Sequence, residues 1–374
     1  MNKKIVIGGV AIVVVLGVIN WLGDDKAVIV QKPIKIGVME PLTGPAASYG
    51  EVTKNGFSIA LDEINKAGGI AGQPVEVVYE DSKCNGKDAL TAATKLVQVD
   101  KVDYLLGAMC SSEVLAALPV TENKPMIFMG QGSSPDITGK GKYFFRTWPS
   151  DALSGVALAQ KLVPQYKKIA IVSEKTDYAL ALGKTFSGEA TKLGAEIVAN
   201  ETFISNETDF KPILAKIKTL NPDLLFINPQ TGQGAARIAE QARNMGISAQ
   251  FAVYFMAGDE FVKSGKAVNG TLILDVPSLD SKNPKAAKYA EIYKAKFGSM
   301  NYPLAGAQMY DYLYLLKTAI EKVGNDTPAI QKYLKGMDKY DGAIGSFSFD
   351  ENGDVIGIGF SYKMVKDNEL VDWE

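Results

Sequence analysis

The sequence predicts an α/β fold built as two lobes, each a parallel sheet with helices on both faces. Strand-like apolar runs alternate with single amphipathic helices, which is the pattern of parallel sheets. The alternation starts again after Arg146–Pro149, which indicates a second lobe. A length of 374 residues is enough for two domains, and 47% hydrophobic with 22% charged residues fits a soluble globular body.

In the first lobe, apolar residues recur at helical spacing between short apolar runs. The predicted strands are Ile34–Met39, Val75–Tyr79, Tyr104–Leu106 and Met126–Met129. The predicted helices cover Gly50–Lys66, the stretch from Ala89 to Val99, and a segment starting at Glu113.

The second lobe repeats this pattern. Its predicted strands are Lys168–Val172, Glu196–Phe203, Asp223–Asn228 and Phe251–Val253. Its predicted helices are Leu180–Leu193, Phe210–Leu220 and Ala235–Asn244. Residues 285–335 are expected to be helical, and a hairpin of Ser346–Phe349 and Val355–Tyr362 is expected to close at Asn352-Gly353.

The first 26 residues predict an export segment. Lys3 and Lys4 precede an apolar run over residues 5–22, and Asp24 and Asp25 follow it. This charge order places the remaining chain outside the cytoplasm. The run fits a signal peptide or an uncleaved membrane anchor; Asp25 stands where cleavage needs a small residue, which favours the anchor. Either way we expect an extracytoplasmic protein.

Composition excludes several classes of function. The net charge of -2 comes without the basic stripe of a nucleic-acid-binding protein. The chain has no histidine, so a nucleophile would lack an imidazole base and no enzymatic activity is expected. Two cysteines cannot complete a tetrahedral metal shell, so no metal or other cofactor is predicted. In an exported chain, Cys84 and Cys110 favour a disulfide over two buried thiols.

Candidate ligand contacts come from the loops after the predicted strands, because ligands of open parallel sheets bind beyond the carboxyl ends of strands. Two Ser-Ser pairs in these loops could hold a carboxylate at helix N-termini. The candidates are Tyr49, Ser111, Ser112, Gln131, Ser133, Ser134, Tyr178, Thr231, Tyr254 and Phe255.

These residues also have structural interpretations. The first Ser-Ser pair could merely cap the helix beginning at Glu113, and the second, followed by Pro135, is an ordinary turn signature. The tyrosines could be loop aromatics, and Phe255 could belong to the core. The residues alone leave both interpretations open.

Seven stretches carry a family resemblance from about Ile34 to the C-terminus. They are Gly44-Pro-Ala-Ala-Ser-Tyr49-Gly50, Ala67-Gly-Gly-Ile-Ala-Gly72, Tyr79-Glu-Asp-Ser-Lys-Cys84, Cys110-Ser-Ser, Lys168-Ile-Ala-Ile-Val172, Gln241-Ala-Arg243 and Tyr310-Asp311. In this order they resemble the branched-chain amino acid (leucine-type) substrate-binding proteins of ABC transporters, which have the type I periplasmic binding protein fold. The resemblance implies a Cys84–Cys110 disulfide in the first lobe, beside the binding site.

The resemblance also implies a Venus-flytrap arrangement in which the chain crosses between the lobes three times. The crossings are expected near Thr147–Ser150, Pro277–Asp280 and Gly345–Ser348. Lobe one would comprise residues 34–147 and 280–345, and lobe two residues 148–279 and 346–374.

In leucine-type relatives two hydroxyl residues hold the α-carboxylate of the ligand, and their positions match Ser111 and Ser133. Gln131 would offer a backbone carbonyl to an amine or another donor. Tyr49 and Tyr178 match a tyrosine from each lobe.

One position departs from the family pattern. Phe255 stands where relatives that bind amino acids carry an acid that pairs with the α-ammonium group. A buried ammonium without a counter-charge costs on the order of several kcal/mol. Either Asp259, Asp177 or Glu174 substitutes for that acid, or the ligand carries no α-amine. We favour an aromatic or aliphatic acid without the amine.

The resemblance implies a monomeric binding protein that performs no chemistry. It would bind a small carboxylate-bearing ligand, an amino acid or a related organic or aromatic acid, and deliver it to an ABC permease driven by an ATPase. A receptor that senses such a ligand and signals through a partner is the alternative.

Overall fold

The first lobe contains a five-stranded parallel sheet. The computed structural model describes residues 32–256 and 258–373, so the expected export segment over residues 1–26 and its apolar run over residues 5–22 lie outside the described residues. The strands are β1 (Ile34–Glu40), β2 (Val75–Asp81), β3 (Tyr104–Gly107), β4 (Phe128–Gly130) and β5 (Phe144–Arg146). They are ordered β2-β1-β3-β4-β5. The helices between them are α1 (Ala47–Lys66), α2 (Gly86–Thr94) and α3 (Ser111–Asn123).

The second lobe contains a seven-stranded sheet that also carries the end of the described chain. Its parallel strands are β6 (Lys168–Glu174), β7 (Glu196–Phe203), β8 (Leu224–Asn228), β9 (Gln250–Tyr254) and β10 (Leu272–Asp275). Its helices are α4 (Asp151–Leu162), α5 (Asp177–Lys192), α6 (Lys211–Leu220), α7 (Gly232–Asn244) and α8 (Asp259–Val262).

After β10 the chain returns to the first lobe as three helices. These are α9 (Pro284–Phe297), α10 (Pro303–Val323) and α11 (Thr327–Lys335). Helix α10 packs directly on α1, and a methyl group at Gly56 would overlap the Gly306 carbonyl. Glycine at both positions therefore lets the two backbones touch. Among the described helices, none is both long and apolar enough to cross a membrane.

A small antiparallel sheet follows the three helices. Its strands are β11 (Tyr340–Gly342), β12 (Gly345–Phe349) and β13 (Val355–Ile356). The chain then joins the second sheet with two antiparallel strands, β14 (Ser361–Lys366) and β15 (Glu369–Asp372). The order of the second sheet is β15-β14-β10-β9-β8-β6-β7.

This topology differs from the expected lobe boundary at residue 346. The hairpin of β12 and β13 stays with the first lobe, because the Arg146 N–H donates to the Gly353 carbonyl over 2.9 Å. The ring of Phe145 also packs on Phe349, with centroids 5.0 Å apart. The expected second hairpin strand, Val355–Tyr362, is therefore divided, and only its end pairs with β10 in the second sheet.

The Arg146 side chain ties these segments together. It is fully buried, and Nε and Nη2 each donate to a carboxylate oxygen of Asp354 over 2.7 Å. Nη1 donates to the carbonyls of Gly132 and Ser134 over 3.1 and 2.9 Å, and Nη2 also donates to the Thr138 hydroxyl. A buried charge is stable only when its donors are satisfied in this way.

We expect Arg146→Met to lower the free energy of unfolding by about 3–5 kcal/mol, because it leaves Asp354 and two carbonyls without their donor. Urea unfolding followed by circular dichroism measures the change. Lys192→Met is the control: it removes an exposed ion pair with Glu189, and should cost less than about 1 kcal/mol. Equal losses in the two variants would contradict a special role for Arg146.

Candidate functional site

A cavity lies beyond the carboxyl ends of strands from both lobes. In this conformation its volume is about 20 Å³, room for about one water molecule and well below the roughly 300–1,000 Å³ found for small-molecule sites. The residues lining it are Tyr49, Met109, Cys110, Ser111, Gln131, Ser133, Trp148, Tyr178, Gln230, Tyr254 and Phe255. Of these described residues none is charged, so an ionic ligand would meet only neutral dipoles and aromatic rings at the wall.

Seven of the ten predicted contact residues line this cavity, and three do not. The Ser112 hydroxyl donates to the Cys84 carbonyl, away from the cavity. Ser134 accepts a hydrogen bond from the Asp136 N–H, as a turn residue does. Thr231 caps α7 by accepting from the Gly234 N–H over 3.2 Å. Ser134 and Thr231 therefore make the expected turn and capping contacts, and Ser112 instead bonds a distant backbone carbonyl.

Sequence reasoning missed Met109, Trp148 and Gln230. Met109 precedes the Cys110-Ser-Ser stretch, and Trp148 lies between β5 and α4, where no strand end drew attention to it. Gln230 comes one residue before Thr231. Thr231 followed by glycine at the start of a helix indicates a helix cap. That signal could have shifted the predicted ligand contact from Thr231 to Gln230.

Ser111 stands at the first turn of α3. Its hydroxyl oxygen accepts hydrogen bonds from the N–H groups of Ser133 and Ser134, over 3.1 and 3.0 Å. Ser111 therefore joins the loops that follow β3 and β4. Because two N–H groups occupy the oxygen, the hydroxyl proton remains to be donated. The N-terminus of α3 adds a partial positive charge at the same place.

The Ser133 hydroxyl donates to a carboxylate oxygen of Asp151 over 2.8 Å, and the Asp151 N–H donates to the Ser133 carbonyl over 2.8 Å. Asp151 is fully buried. Burial raises the pKa of this carboxyl to about 7, although the Ser133 hydrogen bond and the charge of Arg146 act in the opposite direction. The other Asp151 oxygen has no hydrogen-bond partner among the residues that the structure describes.

Aromatic rings form the opposite side of the cavity. Phe255 packs edge-on against Trp148, with centroids 4.4 Å apart, and lies 5.8 Å from Tyr49. Tyr302, just outside the lining, packs on both Tyr49 and Phe255, at 4.7 and 5.1 Å. The Tyr178 hydroxyl is buried and finds no partner within the described part of the chain. Burial, followed by the nearby charge of Asp151, raises the pKa of Tyr178.

The acids proposed to replace the missing lobe-two acid lie elsewhere. Glu174 accepts the backbone N–H of Gln230 over 2.7 Å. Asp177 is exposed, and Asp259 pairs with Lys263 over 2.9 Å. All three stand outside the lining of the cavity.

Cys84 and Cys110 form a disulfide, as predicted. The Glu113 carboxylate accepts hydrogen bonds from the backbone N–H groups of both cysteines, each over 2.8 Å, and so holds the two ends of the bridge together. Burial raises the pKa of Glu113 to about 7. The bridge fixes the loop that presents Ser111 to the cavity.

Comparison with known proteins agrees with this architecture. The sequence profile described as "Periplasmic binding protein" matches residues 33–367. The chain belongs to this family. It is accordingly a substrate-binding protein and not an enzyme, and the expected fold of two parallel-sheet lobes is confirmed.

Its relatives also confirm the resemblance to branched-chain amino acid binding proteins of ABC transporters. The leucine-, isoleucine-, valine-, threonine- and alanine-binding protein of Pseudomonas aeruginosa is 27% identical, covering 89% of this chain and 90% of that protein. A Leu/Ile/Val-binding protein of Rhizobium johnstonii is 30% identical, covering 88% and 90%. The leucine-binding protein of Thermotoga maritima superimposes with a TM-score of 0.84 at 28% identity, covering 91% and 98%.

The raised pKa of Asp151 predicts a pH-dependent stability. Between the ordinary value of 3.8 and about 7 the unfolded carboxyl is ionised while the folded one keeps its proton. The carboxyl therefore destabilises the fold progressively as pH rises through this window, by at most about 1.4 kcal/mol per pH unit. In Asp151→Asn this component is absent, so the stability of the variant relative to wild type should increase from pH 4 to pH 7.

Urea unfolding at intervals of one pH unit measures this difference. Asp177→Asn, which removes an exposed carboxylate, is the matched control. Parallel pH profiles for wild type and Asp151→Asn would show that the prediction is wrong.

Proposed function

We propose that this protein is the extracytoplasmic substrate-binding component of an ABC uptake system. It captures a small carboxylate between its lobes and presents the closed form to a membrane permease driven by an ATPase. Family membership and a cavity shared by both lobes support this proposal. Ligand that touches both lobes shifts the equilibrium towards closure.

The observation that carries the proposal is the position of Ser111. A hydroxyl proton and the N-terminus of the 13-residue helix α3 meet at the cavity. Both favour an anionic acceptor, and a carboxylate is the anion that fits beside an apolar wall. Once the lobes move apart enough to admit a ligand, its body would lie against Trp148, Phe255 and Tyr49, so that body should be apolar.

We further propose that the ligand carries no α-amine. An ammonium group in this cavity would lie against Phe255 rather than an acid, and none of the described lining residues offers it a charge. The free energy lost when an ammonium group leaves water is larger than the free energy gained from its contacts with neutral dipoles.

An α-amino acid is the second candidate. The relatives named above are described as binding leucine, isoleucine and valine. The Ser133 oxygen, backed by Asp151, and the unpartnered Tyr178 hydroxyl could together accept an ammonium. In that case the charge would act through Ser133 rather than from lobe two.

Leucine and 4-methylpentanoate, which is leucine without its amine, distinguish the two candidates. We expect 4-methylpentanoate to bind at least about tenfold more tightly in isothermal titration calorimetry, since each factor of ten corresponds to about 1.4 kcal/mol. Phe255→Glu, which restores a carboxylate at this position, should reverse the order. Tighter binding of leucine by the wild type would favour the second candidate.

We expect Ser111→Ala to weaken binding by roughly 1–3 kcal/mol, because the carboxylate loses its hydroxyl donor. Isothermal titration calorimetry with the tighter-binding of leucine and 4-methylpentanoate measures this loss of binding free energy. Ser112→Ala is the matched control, since the neighbouring hydroxyl faces the Cys84 carbonyl outside the cavity. Unchanged affinity in both variants would return Ser111 to a purely structural role.

A further inference from the structure

A second and larger space adjoins the ligand cavity at the mouth of the interlobe cleft. Its volume is about 560 Å³, and it is open to solvent. We call it the mouth cleft. Residues of the first lobe that line it include Ala46, Lys83 and Cys84, and residues of the second lobe include Glu174 and Arg237.

The wall between the cavity and the mouth cleft has three parts. At the start of α1, Ala46 faces the mouth cleft and Tyr49 faces the cavity. The disulfide crosses the wall, with Cys84 on the cleft side and Cys110 on the cavity side. The third part is Gln230, and of the described residues it alone lines both spaces.

The backbone of Gln230 is held from both lobes. Its N–H donates to Glu174 over 2.7 Å, and its carbonyl accepts the Tyr49 hydroxyl over 3.3 Å. Its side-chain amide reaches across to the Cys110 sulfur, at 3.9 Å. The first two parts of the wall are a helix start and a covalent bridge. The Gln230 side chain is therefore the part that a single substitution can remove without breaking the backbone or the bridge.

We propose that Gln230 is a specificity-determining residue that sets the maximum length of the ligand. Its side chain closes the cavity towards the mouth cleft, so a ligand anchored at Ser111 is limited to the space on the cavity side of Gln230. Removing the side chain joins the two spaces and lets a longer apolar chain extend into the mouth cleft. This inference rests on the proposed carboxylate-binding function and adds its size limit.

The test compares short and long ligands in pairs with and without the amine. One pair is 4-methylpentanoate and octanoate, and the other is leucine and 2-aminooctanoate. In the wild type the long member of the pair that binds should be at least about tenfold weaker. In Gln230→Ala the ratio of the affinity for the long member to that for the short member should rise about tenfold or more.

Two further variants define the mechanism. Gln233→Ala removes the same side chain from an exposed position that lines the mouth cleft but not the cavity, and should keep the wild-type preference. Gln230→Leu fills similar space without the amide, and should also keep it, because the proposed role is steric. Thermal unfolding of each variant verifies that it is folded.

The outcomes separate the two proposals. If Gln230→Ala binds the short ligand but still rejects the long one, or if the wild type accepts both lengths equally, the inference about Gln230 is overturned and the binding function stands. If only the amino acid pair binds, and Gln230→Ala extends its length range, the inference stands and the amine-free ligand is rejected.

Discussion

The buried guanidinium of Arg146 is the constraint on which the site depends. It lies at the end of the last strand of the first sheet, where the chain leaves for the second lobe, and it bonds the loop of Gly132 and Ser134 and the hairpin carboxylate of Asp354. The same loop presents Ser133 to the cavity. Because the buried charge of Arg146 must stay paired, it holds strand β5, the loop after β4 and the hairpin of β12 and β13 in one arrangement.

Around this anchor the two lobes contribute different chemistry. The first lobe supplies hydroxyls and a helix N-terminus on loops held by a disulfide and by Glu113. The second lobe supplies the rings of Tyr254 and Phe255 and the Gln230 wall. Two hydrogen bonds join the lobes: the Tyr49 hydroxyl donates to the Gln230 carbonyl, and the Tyr302 hydroxyl donates to Glu260. A polar wall from one lobe and an apolar wall from the other suit the proposed ligand with one anionic end.

The sequence predicted eight of the ten parallel strands that the structure describes, because each is a strand-like run next to a helical pattern. It did not reveal β5 or β10, because no long helical pattern separates either of them from the strand before it: the structure describes no α-helix between β4 and β5, and only the four-residue α8 between β9 and β10. It also misplaced residues 346–356, because the contact between Arg146 and Asp354 spans 208 positions and leaves no local signal. In the site, strand-end loops gave Ser111, Ser133 and Phe255. Trp148 was missed because hinge position, not strand periodicity, brings it to the cavity.

The double acceptance at Ser111 has a consequence for selectivity. With its lone pairs held by the N–H groups of Ser133 and Ser134, the hydroxyl has a fixed polarity and can act outward only as a proton giver. A ligand end that also offers protons, such as a primary amide in place of a carboxylate, gains nothing from turning its donors inward. The direction of a single O–H bond would then require that an acceptor oxygen of the ligand, and not an N–H group, faces Ser111.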